Sequence, residues 1–389
     1  LLRGDFSESR SFFSSATKGD KMFSPSRFFT SRWGPIATGV AVGVLAPILV
    51  KLGNPGNMGI CVVCFNRDIA GALGLHRASV VQYIRPEIIG FVLGSLTAAL
   101  IFREFKPRTG SAPVVRFFLG MFAVIGALVF LGCPWRAYLR LSGGDWNAIF
   151  GILGILAGIG IGIVFLRMGF SLSRNRPAPK ALGWVLPIFM AILLLLVIFR
   201  VQVGRDTSGS PIGPIFFSEK GPGSMHAALW ISLTVGLVIG FLAQRSRFCT
   251  VGAIRDLILL RDAHLFFGIV ALIIAAVITN LLLGQFDPGF VGQPVAHTNW
   301  LWNFMGMVLA GLAFILAGGC PGRQLFLSGE GDGDSAIFVL GMIVGAGFSH
   351  NFNAASSPEG PAPFGPIMVI IGLIACVVIG LTMREPSEG

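Results

Sequence analysis

The chain is poor in charge. Only 12% of its 389 residues are Asp, Glu, Lys or Arg, about half the share of a soluble domain. It has no glycine-rich phosphate loop, because the glycines of GILGILAGIGIGI lie inside an apolar run where small residues serve helix packing. It has one Cys-x-x-Cys and no second to complete a structural zinc site. Its histidines, His76, His226, His264, His297 and His350, do not stand at metal-ligand spacing. The start of the chain lacks the apolar core of a secretory signal. These absences argue against a soluble domain, ATP-driven work by this chain, a metal centre and a bound cofactor.

Long apolar runs are abundant. Hydrophobic residues make up 54% of the chain and the mean hydropathy is +0.79. Many runs approach the roughly 20 residues that cross a bilayer, and they are continuous rather than alternating, which argues against a membrane β-barrel. The fold expected is all-α and polytopic, with ten transmembrane helices at 35–52, 84–102, 114–132, 146–167, 181–199, 226–243, 264–284, 300–318, 335–349 and 364–383. The ninth is short and glycine-rich, so a broken or tilted helix is expected there. Two segments, 57–75 and 244–260, are apolar but too short and too charged to span. They read as short re-entrant helices, tolerated at membrane depth only inside protein or against water.

The net charge of +11 fits loop asymmetry better than nucleic-acid binding, since no basic–aromatic module accompanies it. Placing both termini in the cytoplasm puts about two thirds of the 29 lysines and arginines on the inner side. This predicts a multi-pass inner (plasma) membrane protein with the lipid bilayer as its surroundings.

The chain also repeats itself. CVVCFNRDI (61–69) matches CTVGAIRDL (249–257), and GCPWRAYLRLSGGD (132–145) matches GCPGRQLFLSGEGD (319–332). NAIF (147–150) and SAIF (335–338) follow in the same order, as do GFSLSRN (169–175) and GFSHNFN (347–353). The order implies a basic tail at 1–33, a first membrane repeat at 34–200, a linker at 201–225, a second repeat at 226–383 and a short tail at 384–389. Five spans per repeat is an odd number, so the second repeat enters from the opposite side, as in many secondary transporters. Cys61 and Cys133 then belong to outward loops, and Cys249 and Cys320 to inward ones.

Gly-Cys-Pro-x-Arg is built to start a helix. Proline suits the first helical position, which leaves Cys133 and Cys320 as caps on the positive end of a helix dipole. Such an end attracts anions and polarises a thiol. Arg136 and Arg323 follow within about one turn and are candidates either to attract an anion or to pair with Asp145 or Asp332. The alternative is a structural turn with a buried cysteine and a satisfied arginine. The pairs Arg67–Asp68 and Arg255–Asp256 read more readily as ties that hold a re-entrant helix, beside a substrate role for Cys61 and Cys249. Cys64 completes a Cys-x-x-Cys with Cys61, whereas Gly252 stands at its place in the second repeat. A membrane thiol oxidoreductase using Cys61 and Cys64 is therefore an alternative, though no haem, flavin or quinone signature supports it. Cys376, within the last span, reads as packing. His350, with Asn351 and Asn353, is either path-lining or an ordinary satisfied contact.

The paired GCPxR phrases, the C-x5-R-D elements and the glycine-rich spans resemble the YeeE/YedE family of sulfur-transport membrane proteins across about residues 34–383. NMGICVVCFNRDIAGALGLHRASVVQYIRPEIIG is similar to the YedE branch assigned to selenium transport. The resemblance implies an hourglass fold with a pseudo-two-fold axis, and a small chalcogen-containing anion passed between spaced cysteines by S–H···S hydrogen bonds. Cys61, Cys133 and Cys320 match the family's motif cysteines, and Cys249 matches by repeat position. Cys64 departs from the thiosulfate pattern, which makes a selenium oxyanion or another reduced sulfur or selenium species an alternative to thiosulfate. The family also implies a small cytoplasmic sulfur-carrier partner of the TusA type and no enzymatic activity.

Overall fold

A computed structural model describes residues 25–199 and 215–384. Most of the tail at 1–33, part of the linker at 201–225 and nearly all of the tail at 384–389 lie outside the described residues. The described part of the first tail holds a short helix, α1 (Pro25–Thr30).

The first repeat contains α2 (Trp33–Lys51), α3 (Val62–Ala72), α4 (Pro86–Ile101), α5 (Pro113–Phe130), α6 (Pro134–Ser142), α7 (Asn147–Arg167) and α8 (Lys180–Ile198). The second contains α9 (Leu229–Ser246), α10 (Thr250–Leu259), α11 (Phe266–Leu282), α12 (Trp300–Leu316), α13 (Pro321–Gly329), α14 (Gly333–Asn351) and α15 (Gly365–Thr382). Ten of these helices fall on the ten expected spans. Eight apolar helical segments are long enough to cross a membrane, and Pro86–Ile101 and Phe266–Leu282 are shorter apolar helices. Among the described residues one two-stranded pairing, β1 (Arg108–Thr109) with β2 (Arg176–Pro177), ties two loops together.

The ninth span is not broken, one of the two forms expected for it. It is a continuous helix of 19 residues. Its glycines do not break it, because they admit a neighbouring backbone: a Cβ on Gly341 would meet the Phe117 carbonyl oxygen at 2.2 Å. Asp332 also caps the helix, accepting from the Ser335 amide at 2.9 Å.

The most extensive helix pairs are α2 with α11, α4 with α9, α5 with α14 and α7 with α12. Exchanging each element for its repeat partner turns α2–α11 into α9–α4, and α5–α14 into α12–α7. Helix α5 also packs on α12, its own counterpart, through Gly126 and Gly306. A Cβ on either would lie 2.3 or 2.6 Å from the other's carbonyl oxygen, so only glycine permits this approach. The outermost helices break the exchange: α8 packs on α4, α13 and α14, whereas α15 packs on α5, α12 and α7.

Two backbone bridges give the relative direction of the repeats. Arg108, in the α4–α5 loop, pairs with Asp332 in the α13–α14 turn, and Asp145, in the α6–α7 turn, pairs with Gly289 in the α11–α12 loop. Each bridge joins non-equivalent loops of the two repeats. Parallel repeats would place those loops on opposite sides of the bilayer, so the bridges require inverted ones. They define an Arg108 face and an Asp145 face.

Candidate functional site

Four short helices begin inside the protein, and a cysteine caps each. Cys61 caps α3 and accepts from the Cys64 amide at 3.3 Å. Cys249 caps α10 and accepts from the Gly252 amide at 3.2 Å. Cys320 caps α13 and accepts from the Arg323 amide at 3.4 Å. Cys133 stands at the same position of α6 with its sulfur free of that bond. Proline opens α6 and α13 as the phrase GCP requires.

These caps gather into two groups. Cys61 lies within side-chain hydrogen-bonding reach of Cys133 and Cys64. Cys249 lies within reach of Cys320, whose amide donates to the Cys249 sulfur at 3.3 Å. All five are buried free thiols. Cys376 is buried in α15, apart from both groups.

The arginines sort differently from expectation. Arg136 pairs with neither Asp145 nor Asp332. Its guanidinium donates to the carbonyls of Asn57 at 2.8 Å, Val295 at 2.9 Å and Leu131, and to the Cys64 sulfur at 3.3 Å. It thus ties three loops at the α6 entrance and touches a thiol. Asp145 is taken by Arg140, 2.6 Å away with both side chains fully buried. Asp332 is taken by Arg108 from the other repeat at 2.7 Å. Arg323 lies 3.5 Å from Glu330, which Arg108 and Arg247 also approach.

Arg67 and Asp68 form a buried pair at 2.7 Å, and Arg85 holds the other carboxylate oxygen at 2.7 Å. Arg85 continues to the carbonyls of Pro222 and Met225, joining the α3–α4 loop to the segment before α9. Arg255 and Asp256 pair at 2.8 Å with 35% and 17% of their side chains exposed. His350 stacks on His76 at 4.4 Å, and Asn351 donates to the Leu75 carbonyl. These contacts fix the end of α14 against the α3–α4 loop.

Sequence reading missed two features. Glu87, fully buried, accepts from Asn54 at 2.8 Å and Ser232 at 2.9 Å, a link between repeats that no motif announces. The aromatic cluster around Trp135 was also missed. Trp135 packs on Phe91, Phe248 and Phe326 at ring distances of 5.9, 5.5 and 6.0 Å. The visible signal was Trp135 and Gly322 at the same position of the repeated phrase. A Cβ on Gly322 would lie 3.1 Å from the Trp135 ring. The two positions meet, with a large residue on one side and none on the other. A cavity of about 230 Å³ lies toward the Asp145 face, lined by Asn57, Leu139, Asn280, Asp287 and Gln293, and the thiols are not part of its wall.

These features define an all-α, polytopic membrane protein whose inverted halves each bury a group of cysteines at helix starts. Residues 245–380 match the family model described as sulphur transport. A stretch of 108 residues, 28% of this chain, is 30% identical to the thiosulfate transporter TsuA of Escherichia coli K12 and covers 30% of it. Another of 103 residues, 26% of this chain, is 34% identical to the thiosulfate transporter TsuA of Spirochaeta thermophila and covers 31% of it. The second repeat is thus similar to sulphur-transport proteins over most of its length. The aligned stretches span about three tenths of the length of these curated relatives.

Proposed function

We propose that this protein carries a small sulfur- or selenium-containing anion across the inner membrane, handing it from the Cys61–Cys64–Cys133 group to the Cys249–Cys320 group. The observation that carries the reading is the gathering of four helix N-termini, each with a cysteine at its cap position, into two buried thiol groups inside an inverted repeat. Helix N-termini favour an anion in a site that water does not reach, and thiols add a preference for a polarisable chalcogen over a purely oxygenic anion. Arg136 holds α6 in place and adds positive charge near Cys64, and Arg323 stands at the matching place in α13. The Arg67–Asp68 and Arg255–Asp256 pairs act as ties. The cavity at Asn57 and Gln293 serves as the approach from the outer side, with both termini in the cytoplasm. Delivery to a TusA-like carrier on the Arg108 face completes the proposed route, and the reading requires no enzymatic step.

The test is uptake of labelled thiosulfate and selenite by cells that lack their own route and express this chain. Cys133→Ala or Cys320→Ala should bring uptake to background while the protein still inserts. Undiminished uptake by the double variant would refute transfer by thiols.

A further inference from the structure

Among the described residues no hydrogen bond joins the two thiol groups. Trp135, two residues after Cys133 in α6, reaches from the first group to the surroundings of the second. Its ring lies on Gly322, two residues after Cys320, and on Phe248, the residue before Cys249. Phe91 and Phe326 also lie against it and pack on each other at 5.7 Å. The ring is fully buried, and its Nε1–H finds no hydrogen-bond acceptor among the described residues.

A buried indole normally finds a partner for its N–H. Leaving one unmade costs about 1–3 kcal/mol, and a phenylalanine would fill an aromatic wall without that cost. We propose that Trp135 is both the partition between the two thiol groups and a binding residue for the anion that passes, with its indole N–H donating to the anion as it leaves Cys133 for Cys320. This rests on the transport reading above and adds one residue to it. The position explains the choice of side chain. Gly322 leaves room for one large ring at the meeting point of the repeats, and tryptophan is the aromatic residue that fills such a space with a donor and no acceptor. A donor without an acceptor suits an anion. The ring must also swing or shift as the anion passes, and Gly322 is where it has no side chain to clear.

Two variants separate the partition from the donor. Trp135→Ala removes both, and Trp135→Phe keeps a ring and removes the N–H. Two readouts apply to each: uptake of labelled thiosulfate, and labelling of Cys320 by an impermeant methanethiosulfonate reagent added from the Asp145 face, read by peptide mass spectrometry. Trp135→Ala should speed Cys320 labelling at least about tenfold. Trp135→Phe should leave labelling as in the unaltered protein and slow uptake by about tenfold, the kinetic equivalent of one hydrogen bond to a charged group. Unchanged labelling in Trp135→Ala overturns the partition, and undiminished uptake by Trp135→Phe overturns the donor. If the unaltered chain takes up no thiosulfate or selenite, the transport reading and the donor fall together, and labelling still decides the partition.

Discussion

Cys61 and Cys249 cap their helices alike, accepting from the amide three residues on at 3.3 and 3.2 Å. Beyond the cap the two repeats diverge. In the first, the following Arg–Asp pair is buried and Arg85 clamps it from a second side. In the second, the same pair is half open to its surroundings. At the next anchor the first repeat places Leu131 in the left-handed region at φ 62°, where the second has Gly318 at φ 87°. The first repeat thus holds a non-glycine residue in a backbone region that glycine adopts freely. The side chains around the thiols differ as well, with Thr250, Gln324 and Glu330 in the second repeat where the first has Val62, Ala137 and Gly143. Arg140 has Leu327 as its counterpart, Cys64 has Gly252, and Trp135 has Gly322. The repeats share a backbone plan and differ in the side chains that each sets around its thiols.

The sharpest way to break this comparison is at the carboxylates. Asp68→Asn leaves Arg67 and Arg85 buried without a counter-charge, and should cost about 3–5 kcal/mol. Asp256→Asn removes a partly solvated pair and should cost at most about 1 kcal/mol. Thermal unfolding of the two variants in detergent measures the difference, and equal losses would show the repeats to be equally dependent on their pairs. A smaller effect is expected from making the first repeat resemble the second at the helix start. Cys64→Gly removes the contact from Arg136 at 3.3 Å and adds a glycine to α3, for about 1–2 kcal/mol in all. Uptake should fall, because Cys64 belongs to the proposed donor group, and undiminished uptake would take Cys64 out of the route.

The smallest effect concerns the Arg108 face, where Glu104 of the first repeat meets Gln244, Arg245 and Arg247 of the second at 2.8 to 2.9 Å. Burial pushes this carboxyl up, but those hydrogen bonds and the charge of Arg247 outweigh it and hold it below the usual 4.5. A depressed carboxyl stabilises the fold above its unfolded value, and that contribution disappears as pH falls through the folded one. Acidification below about pH 4.5 should therefore loosen this contact. Glu104→Gln should flatten that part of the melting-temperature profile, and an unchanged profile would mean that the contact adds nothing.

Much of this was legible in the sequence because the relevant signals are local. Apolar runs set the ten spans, Gly-Cys-Pro set two helix starts, and the C-x5-R-D elements set two more. The pairing of charges was not legible, since Asp332 takes its cation from Arg108, which lies in the other repeat. Arg136 could not be assigned for the same reason: its acceptors are carbonyls of Asn57, Leu131 and Val295, and carbonyls leave no mark on residue type. The continuity of α14 was misread because glycine count suggests breakage, whereas the opposing backbone of α5 determines the outcome. Trp135 and Gly322 were visible as a mismatch between two copies of one phrase, but only their proximity turns the mismatch into a fit.

The pairing of α2 with α11, α4 with α9, α5 with α14 and α7 with α12 bears on how the chain is made. Every one of these partners lies in the half synthesised later. The first five spans must therefore wait in the bilayer with glycine-lined faces covered by lipid or by the insertion machinery. The bridge from Arg108 to Asp332 cannot close until residue 332 has emerged. Juxtaposition of the two thiol groups is thus a late event in biogenesis, and a chain interrupted near its midpoint would hold the cysteines of one group without the other.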